Sequence, residues 1–155
     1  MIEYRITKYD PDNRINGKYT ANEWTGFGDI GKTFDGAEFT YEKYLETETA
    51  YIDCCIDLMS QAIVSGLSVE RAEYYSEDIH LPDEISDGIE LRKAIAHCLR
   101  ERCWFKLTGE NFFIHFGYDY YMYIGTLLPD ETVVKTAVKY GLFCERYPSP
   151  YSVTE

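Results

Sequence analysis

The sequence has few basic residues, few histidines and no long apolar run. Its 155 residues include 15 Lys or Arg against 27 Asp or Glu, which gives a formal net charge of −12. No apolar run approaches the roughly 20 residues that a membrane-spanning helix needs. Membrane insertion is therefore not expected. A strongly negative field also repels phosphate backbones, so direct nucleic-acid binding is not expected either. Basic partners are favoured, although in many proteins such acidity serves solubility alone.

Motifs for metal and thiol chemistry are also missing. The three histidines lie far apart, and no Cys-x-x-Cys or His-x-x-x-His pattern occurs, so we expect neither a metal site nor a cofactor. An odd number of cysteines, with Cys54 next to Cys55, favours reduced thiols over a disulfide framework. The start, Met-Ile-Glu-Tyr-Arg, lacks the basic and apolar segments of a secretion signal. Both features predict a cytoplasmic protein.

The chain is rich in aromatic residues, which make up 16% of it, and its length suits one domain with a sizeable core. Aromatic residues are densest in residues 112–126, where a Gly-Tyr-Asp turn separates two runs typical of β-strands. This pattern predicts a β-hairpin. Both faces of the hairpin carry apolar or aromatic side chains. We therefore expect a central strand pair, covered by helices on one side and by a loop or a partner on the other.

Periodicity and turn signals predict the remaining elements. Strands are expected at residues 2–9, 67–75, 104–108 and 142–147. Two long helices are expected at 41–65, with Thr40 as N-cap and Gly66 as stop, and at 86–102, followed by a short helix from Asp130 to Gly141. Ile63 and Ile89 are assigned to the buried sides of the long helices. Residues 10–38 form a long loop with a short hairpin at Asn16-Gly17, and residues 148–155 form a tail.

These elements predict a single α+β domain. The expected architecture is a mainly antiparallel sheet of about five to six strands, with the two long helices and the short helix packed on one face.

Residues Gly26 to Thr33 satisfy the phosphate-loop pattern G-x-x-x-x-G-K-[ST]. That motif binds phosphate where a buried strand delivers the loop and a helix begins at the Lys. The preceding residues do not read as a buried strand, and Phe34-Asp35-Gly36 interrupts any helix directly after Thr33. Asp29 also places a negative charge inside the loop. Nucleotide binding is therefore disfavoured.

Acidic residues concentrate in residues 21–90. This segment contains seventeen of them and three basic residues, Lys32, Lys43 and Arg71. Steps of four and seven place several carboxylates on one stripe of the first helix, at Glu42, Glu46, Asp53 and Asp57. Two more, Glu77 and Asp78, lie in an acidic loop. With tyrosines of the hairpin, these acids suit a surface that binds a basic protein.

The sequence supports a catalytic function less strongly than it supports protein binding. Cys55 and Cys98 fall on apolar helix faces, where a thiol acts as a small hydrophobic group. A pair of carboxylates could hydrolyse a carbohydrate-like substrate, but the sequence does not single out a pair. A scaffold that dimerises through an apolar patch is the third possibility, and the residues leave monomer and homodimer equally open.

Three segments carry a family resemblance. They are Tyr4 to Pro11, Glu23-Trp24-Thr25 with Asp29-Ile30-Gly31, and His115 to Tyr123. They resemble small bacterial proteins that confer immunity to polymorphic or contact-dependent toxins. The resemblance implies a non-enzymatic cytoplasmic protein that covers the active site of a cognate toxin domain, often a basic nuclease.

Residues predicted to bind such a partner come from the acids and the hairpin. They are Glu42, Glu46, Asp53, Asp57, Glu77, Asp78, Tyr118, Asp119, Tyr121 and Tyr123, the last four being the hairpin residues expected to face outward.

Overall fold

The structure, a computed structural model, describes residues 1–152. Its helices are α1 (Tyr41–Gln61), α2 (Gly88–Leu99) and α3 (Asp130–Lys139). Its strands are β1 (Ile2–Thr7), β2 (Arg14–Ile15), β3 (Lys18–Tyr19), β4 (Thr33–Phe34), β5 (Ala37–Glu38), β6 (Leu67–Tyr74), β7 (Glu84–Ile85), β8 (Cys103–Gly109), β9 (Phe112–Phe116), β10 (Met122–Thr126) and β11 (Phe143–Arg146).

Seven strands form one sheet in the order β11-β1-β10-β9-β8-β6-β7, and every neighbouring pair is antiparallel. The predicted hairpin is its centre: β9 pairs with β10, with Phe116 opposite Met122. The helices pack on one face, with α1 between α2 and α3. The predicted α+β class is confirmed. The seventh strand is β7, whose two residues were too short a run to predict.

The first helix begins as predicted but ends early. The Thr40 hydroxyl accepts a hydrogen bond from the Lys43 N–H, which confirms the N-cap. The last helical residue is Gln61, because Ile63 adopts a left-handed conformation with φ of 58°. The Val64 N–H then bonds to the Met59 carbonyl at 3.0 Å and closes the helix end. The prediction of Gly66 as the stop is therefore wrong.

The long loop contains two short hairpins. Asn16 and Gly17 both have positive φ, as a two-residue hairpin turn requires, and this confirms the predicted hairpin of β2 and β3. Asp35 and Gly36 form a second turn of this kind between β4 and β5, which the prediction missed. The phosphate-loop pattern ends in β4 rather than in a helix, and Lys32 pairs with Asp29 at 2.9 Å.

The main core lies between the helices and the sheet. Its fully buried side chains include Tyr4, Tyr44, Tyr51, Phe105, Leu107 and Ile114. Two residues predicted for this core are exposed: Ile63 at 91% and Ile89 at 66%. Ile63 lies beyond the end of α1. Ile89 precedes the buried Leu91 by two residues, which places it on the opposite side of α2.

The second face of the sheet carries a row of polar side chains that pair directly across its strands. This polar row consists of Glu70, Lys106, His115, Tyr123, Arg5 and Glu145. The C-terminal segment after β11 crosses it. The Ser149 hydroxyl lies 2.8 Å from His115 Nδ1, and the Tyr151 ring packs against Trp104, His115 and Tyr123. A short stretch of the chain itself therefore covers part of this face.

Candidate functional site

The turn between β9 and β10 has an unusual backbone. The Tyr121 N–H bonds to the Tyr118 carbonyl at 3.1 Å, and the two residues between them are left-handed, with φ of 57° for Asp119 and 68° for Tyr120. Asp tolerates this region well, whereas a bulky residue in it costs about 1–2 kcal/mol. Such a conformation persists only where the surrounding structure enforces it.

Buried tyrosines enforce it here. The Tyr120 side chain points into the main core, where its hydroxyl donates to the Tyr44 hydroxyl at 2.5 Å. Its carbonyl oxygen accepts from the Tyr51 hydroxyl at 2.8 Å, and the Asp119 carbonyl accepts from the Tyr9 hydroxyl at 2.5 Å. The rings of Tyr51 and Trp24 each lie 5.1 Å from the Tyr120 ring. The turn is thus held by three hydrogen bonds and by aromatic packing.

This anchoring directs Tyr118 outward, where its side chain is 88% exposed. Tyr118 stands between two adjoining cavities of about 360 and 200 Å³. Both cavities share Tyr75, Trp104, Gly117 and Tyr118 as walls. We call the combined depression the tyrosine groove. It lies at the end of the sheet where β6, the α2–β8 connection and the hairpin turn meet.

The larger cavity has an apolar floor. Its buried lining residues are Cys98, Leu99, Cys103, Phe116 and Tyr120. The Trp104 indole N–H donates to the Phe116 carbonyl at 2.8 Å, which fixes the wall against the floor. Burial raises the pKa of the Cys103 thiol to about 11 and also raises the pKa of Cys98. Both thiols stay protonated at neutral pH, so they serve as apolar surface rather than as nucleophiles.

The rim of the tyrosine groove is acidic. Glu73, Glu101 and Asp119 line it, and none of the lining residues within 1–152 is basic. The Tyr75 hydroxyl donates to the Glu73 carboxylate at 3.0 Å. Burial and that neighbouring carboxylate raise the pKa of Tyr75. An exposed tyrosine above an apolar floor, surrounded by carboxylates, can receive an apolar side chain flanked by cationic groups.

Three of the predicted binding residues line this groove: Tyr118, Asp119 and Tyr121. The fourth hairpin residue, Tyr123, does not face outward as predicted, because it is only 7% exposed. It belongs to the polar row, and its ring lies 6.2 Å from the rings of Tyr147 and Tyr151, which cover it.

The four acids predicted to form a stripe on α1 fall into two pairs, and none of the four lines the tyrosine groove. Glu42 and Glu46 are exposed. Asp53 pairs with Arg92 of α2 at 2.6 Å. Asp57 accepts from Tyr140 at 2.7 Å and pairs with Lys139 at 3.1 Å; these contacts lower its pKa. These last two acids join α1 to the elements beside it.

The acidic loop lies directly after β6. Glu77 is exposed. Asp78 accepts from the Ser76 hydroxyl and pairs with Arg102 at 2.9 Å, and these two contacts lower its pKa. Arg102 directly follows the rim residue Glu101. Neither Glu77 nor Asp78 lines the groove, although both lie on connections at its end of the sheet.

Four groove residues escaped the sequence prediction: Glu73, Tyr75, Glu101 and Trp104. They come from the end of β6, from the α2–β8 connection and from the start of β8, at sequence positions outside the hairpin. The strand order is what could have indicated these residues. Because β8 lies between β6 and β9, the end of β6 and the start of β8 lie beside the hairpin turn.

Within residues 1–152, no group of three His, Cys, Asp or Glu side chains is arranged to hold a metal ion. None of the described helices is both long enough and apolar enough to cross a bilayer. A scan of protein-family models, a search of curated proteins and a search of solved structures each gave no match for this chain.

Proposed function

We propose that this protein neutralises a cognate toxin domain with a basic surface, binds it through the tyrosine groove, and catalyses no reaction. The observation that carries the proposal is the placement of Tyr118. It is 88% exposed on a turn held rigid from beneath, over an apolar floor and inside a rim of carboxylates.

Rigidity is the first supporting argument. A turn whose backbone is held in place before binding loses little conformational entropy when the complex forms, so more of the contact energy remains as affinity. The hydrogen bonds from Tyr9 and Tyr51 fix the turn that bears Tyr118. Tyrosine is also enriched among the residues that dominate binding energy.

Charge is the second argument. The groove contributes Glu73, Glu101 and Asp119, and the acidic band over residues 21–90 extends the negative field beyond it. Complementary long-range fields accelerate the encounter of two proteins. In this proposal the exposed Glu42, Glu46 and Glu77 attract the basic partner, whereas the groove residues contact it. A toxin that acts on nucleic acid needs such a basic surface to hold its substrate.

The test uses the product of the adjacent gene as the partner, with affinity measured by calorimetry and protection measured as growth of cells that express that product. Replacing Tyr118 with alanine is expected to weaken binding at least about thirtyfold, the effect of losing 2 kcal/mol at a central contact. Reversing the rim charges with Glu73→Lys and Glu101→Lys together should slow association and abolish protection.

The matched controls lie on α1. Tyr41→Ala removes an exposed tyrosine beside the acidic stripe, and Glu42→Lys with Glu46→Lys reverses the same number of charges there. Both variants are expected to bind within about threefold of the wild type once salt screens long-range attraction. If these α1 variants lose affinity while Tyr118→Ala keeps it, the groove is not the contact surface. If the wild type neither binds the adjacent product nor protects cells, neutralisation itself is refuted.

A further inference from the structure

The smaller cavity of the tyrosine groove, of about 200 Å³, is lined almost entirely by aromatic rings. Four aromatic side chains form its walls, together with one glycine and one carboxylate: Tyr75, Trp104, Tyr118, Tyr151, Gly117 and Glu73. Within residues 1–152, none of its lining residues is basic. The faces of aromatic rings carry negative potential and attract cations, and a carboxylate adds to that attraction. The composition of the smaller cavity therefore favours an organic cation.

A β-bulge places the carboxylate in this cavity. Between Glu70 and Glu73, three residue steps of β6 lie opposite two steps of β8, and Arg71 within this stretch has a left-handed φ of 53°. Side chains alternate between the two faces of a strand, so regular pairing would put Ala72 opposite Trp104. The extra residue puts Glu73 there instead. The bulge thus turns a carboxylate rather than a methyl group toward the Trp104 ring.

Other contacts hold two of the aromatic walls. The Trp104 indole N–H donates to the Phe116 carbonyl. The Tyr151 N–H donates to the Ser149 hydroxyl at 3.1 Å, and the Tyr151 ring lies 5.5 Å from the Trp104 ring at an angle of 55°. A Cβ at Gly117 would lie 3.4 Å from the Tyr151 hydroxyl, so glycine leaves room for this wall. The two rings therefore form a corner before any ligand is bound.

Glu73 supplies the negative charge of the smaller cavity. Its carboxylate accepts from the Tyr75 hydroxyl at 3.0 Å, a neutral donor that leaves the charge in place. Glu73 forms no ion pair with any residue in the range 1–152, whereas the nearby Asp78 pairs with Arg102. The charge of Glu73 is thus available to a cation from another molecule.

We propose that the smaller cavity receives the guanidinium group of an arginine of the toxin domain, stacked on Trp104 and paired with Glu73. This inference rests on the proposed function and leaves the larger cavity to a neighbouring apolar side chain. A guanidinium group is planar, stacks on aromatic faces and matches a carboxylate with a fork of N–H donors. The ammonium group of lysine is more strongly hydrated, and a quaternary ammonium ion has no N–H to donate to Glu73.

The probe is N-acetyl-arginine amide, titrated into the full-length isotope-labelled protein and followed by the NMR signals of its two tryptophan indole N–H groups. We expect a saturable shift of the Trp104 signal at millimolar concentrations. No such shift is expected at Trp24, whose ring packs against Phe39 and Tyr120. N-acetyl-citrulline amide has nearly the same shape without the charge and should give no saturable shift. N-acetyl-lysine amide should bind more weakly than the arginine amide.

Glu73→Gln keeps the size of the side chain and an acceptor for the Tyr75 hydroxyl but removes the charge. It should weaken binding of the arginine amide at least about tenfold, the usual effect of losing a charged hydrogen bond. Glu42→Gln, at an exposed position of α1, is the matched control and should bind like the wild type. Absence of a saturable Trp104 shift in the wild type, or an equal response to the citrulline amide, would overturn the proposal, whether or not Glu73→Gln folds.

The partner is tested separately, by replacing the arginines of the adjacent gene product with lysine one at a time. One replacement should weaken binding to the wild type at least about tenfold and should have no further effect on binding to Glu73→Gln. Unchanged affinity for every replacement would refute the assignment of the arginine to the toxin domain. A Trp104 response to the arginine amide without any binding of the adjacent gene product would support the guanidinium site and refute neutralisation alone.

Discussion

The two ends of the sheet both contain a cavity and a left-handed residue that is not glycine, yet they differ in how that residue is held. At the hairpin end, Tyr120 is buried and bonded through its hydroxyl and its carbonyl. At the other end, Ile63 is 91% exposed in a similar conformation, beside a cavity of about 480 Å³ lined largely by the loops after α1 and β10. The cavity at this less constrained end is thus larger than either single cavity of the tyrosine groove.

The difference shows why cavity size alone is a poor guide to function. Strain that many contacts enforce gives a rigid surface, which is useful for binding. The left-handed residue at the end of α1 is accompanied by the Val64–Met59 backbone hydrogen bond, but its own side chain is exposed and is not fixed by burial. Each cavity of the tyrosine groove is smaller than the opposite cavity, but the groove combines rigid walls, an apolar floor and one sign of charge.

The largest effect on the free energy of unfolding is expected from removing the hydrogen bonds that support the hairpin end. Replacing Tyr51 with phenylalanine removes a hydroxyl that accepts from the Lys8 N–H at 2.7 Å and donates to the Tyr120 carbonyl. Both backbone groups lose their partner, so the free energy of unfolding should fall by about 3–4 kcal/mol in urea denaturation. Tyr41→Phe, at a half-exposed position, is the control and should change stability by less than about 0.5 kcal/mol. Equal effects of the two would refute the anchoring.

The middle of the sheet, between the two ends, should control the pH dependence. The unfolded chain protonates His115 near its ordinary pKa of 6.5, whereas the folded protein does so only near 4. Protons therefore favour the unfolded state between these values, and stability should fall by about 2 kcal/mol as the pH drops from 6.5 to 4. His115→Gln should lack this part of the loss, while the exposed His80→Gln should retain it. Identical pH profiles for both variants would contradict the assignment.

A smaller effect of opposite sign is expected at the other end. Ile63→Gly removes the left-handed strain and loses little buried surface, so it should raise the free energy of unfolding by about 1 kcal/mol. Ile63→Val keeps a β-branched side chain and should leave stability unchanged. A destabilised Ile63→Gly protein would mean that the exposed isoleucine makes a stabilising contact.

The substitution expected to change stability least tests binding at the tyrosine groove separately from folding. Asp119→Asn keeps a residue that tolerates the left-handed turn, so the free energy of unfolding should stay within about 0.5 kcal/mol. Association with the toxin domain should slow several-fold, because one rim charge is lost. Asp35→Asn is the matched control, since Asp35 also has a positive φ but lies in the hairpin of β4 and β5. Stopped-flow measurements of the two variants should therefore differ.

Much of the fold was predictable because its signals are local. The Thr40 cap, the Asn16-Gly17 turn and the aromatic runs of β9 and β10 each depend on a few neighbouring residues. One error arose where a local rule met another constraint. Gly66 is the usual kind of residue to end a helix, but the chain turns three residues earlier, at Ile63, and enters β6. The Asp35-Gly36 turn obeyed the same rule as Asn16-Gly17 and could have been predicted.

The candidate site was only partly predictable. Tyr118, Asp119 and Tyr121 are neighbours in the chain, so their joint role followed from one turn. Tyr75 and Trp104 reach the same groove from separate elements. The acids of α1 show the opposite case. Helical spacing correctly placed them on one stripe, but whether Asp53 and Asp57 meet solvent or a basic side chain depends on where α2 and α3 pack.

By itself, the sequence determined the α+β class, the central hairpin and the acidic band, because periodicity, turn propensity and charge are properties of short segments. Only the tertiary structure decided that Tyr123 is covered, that Lys106 is buried and that Tyr118 stands over a groove. Each of these results depends on which distant segments come together across the antiparallel sheet.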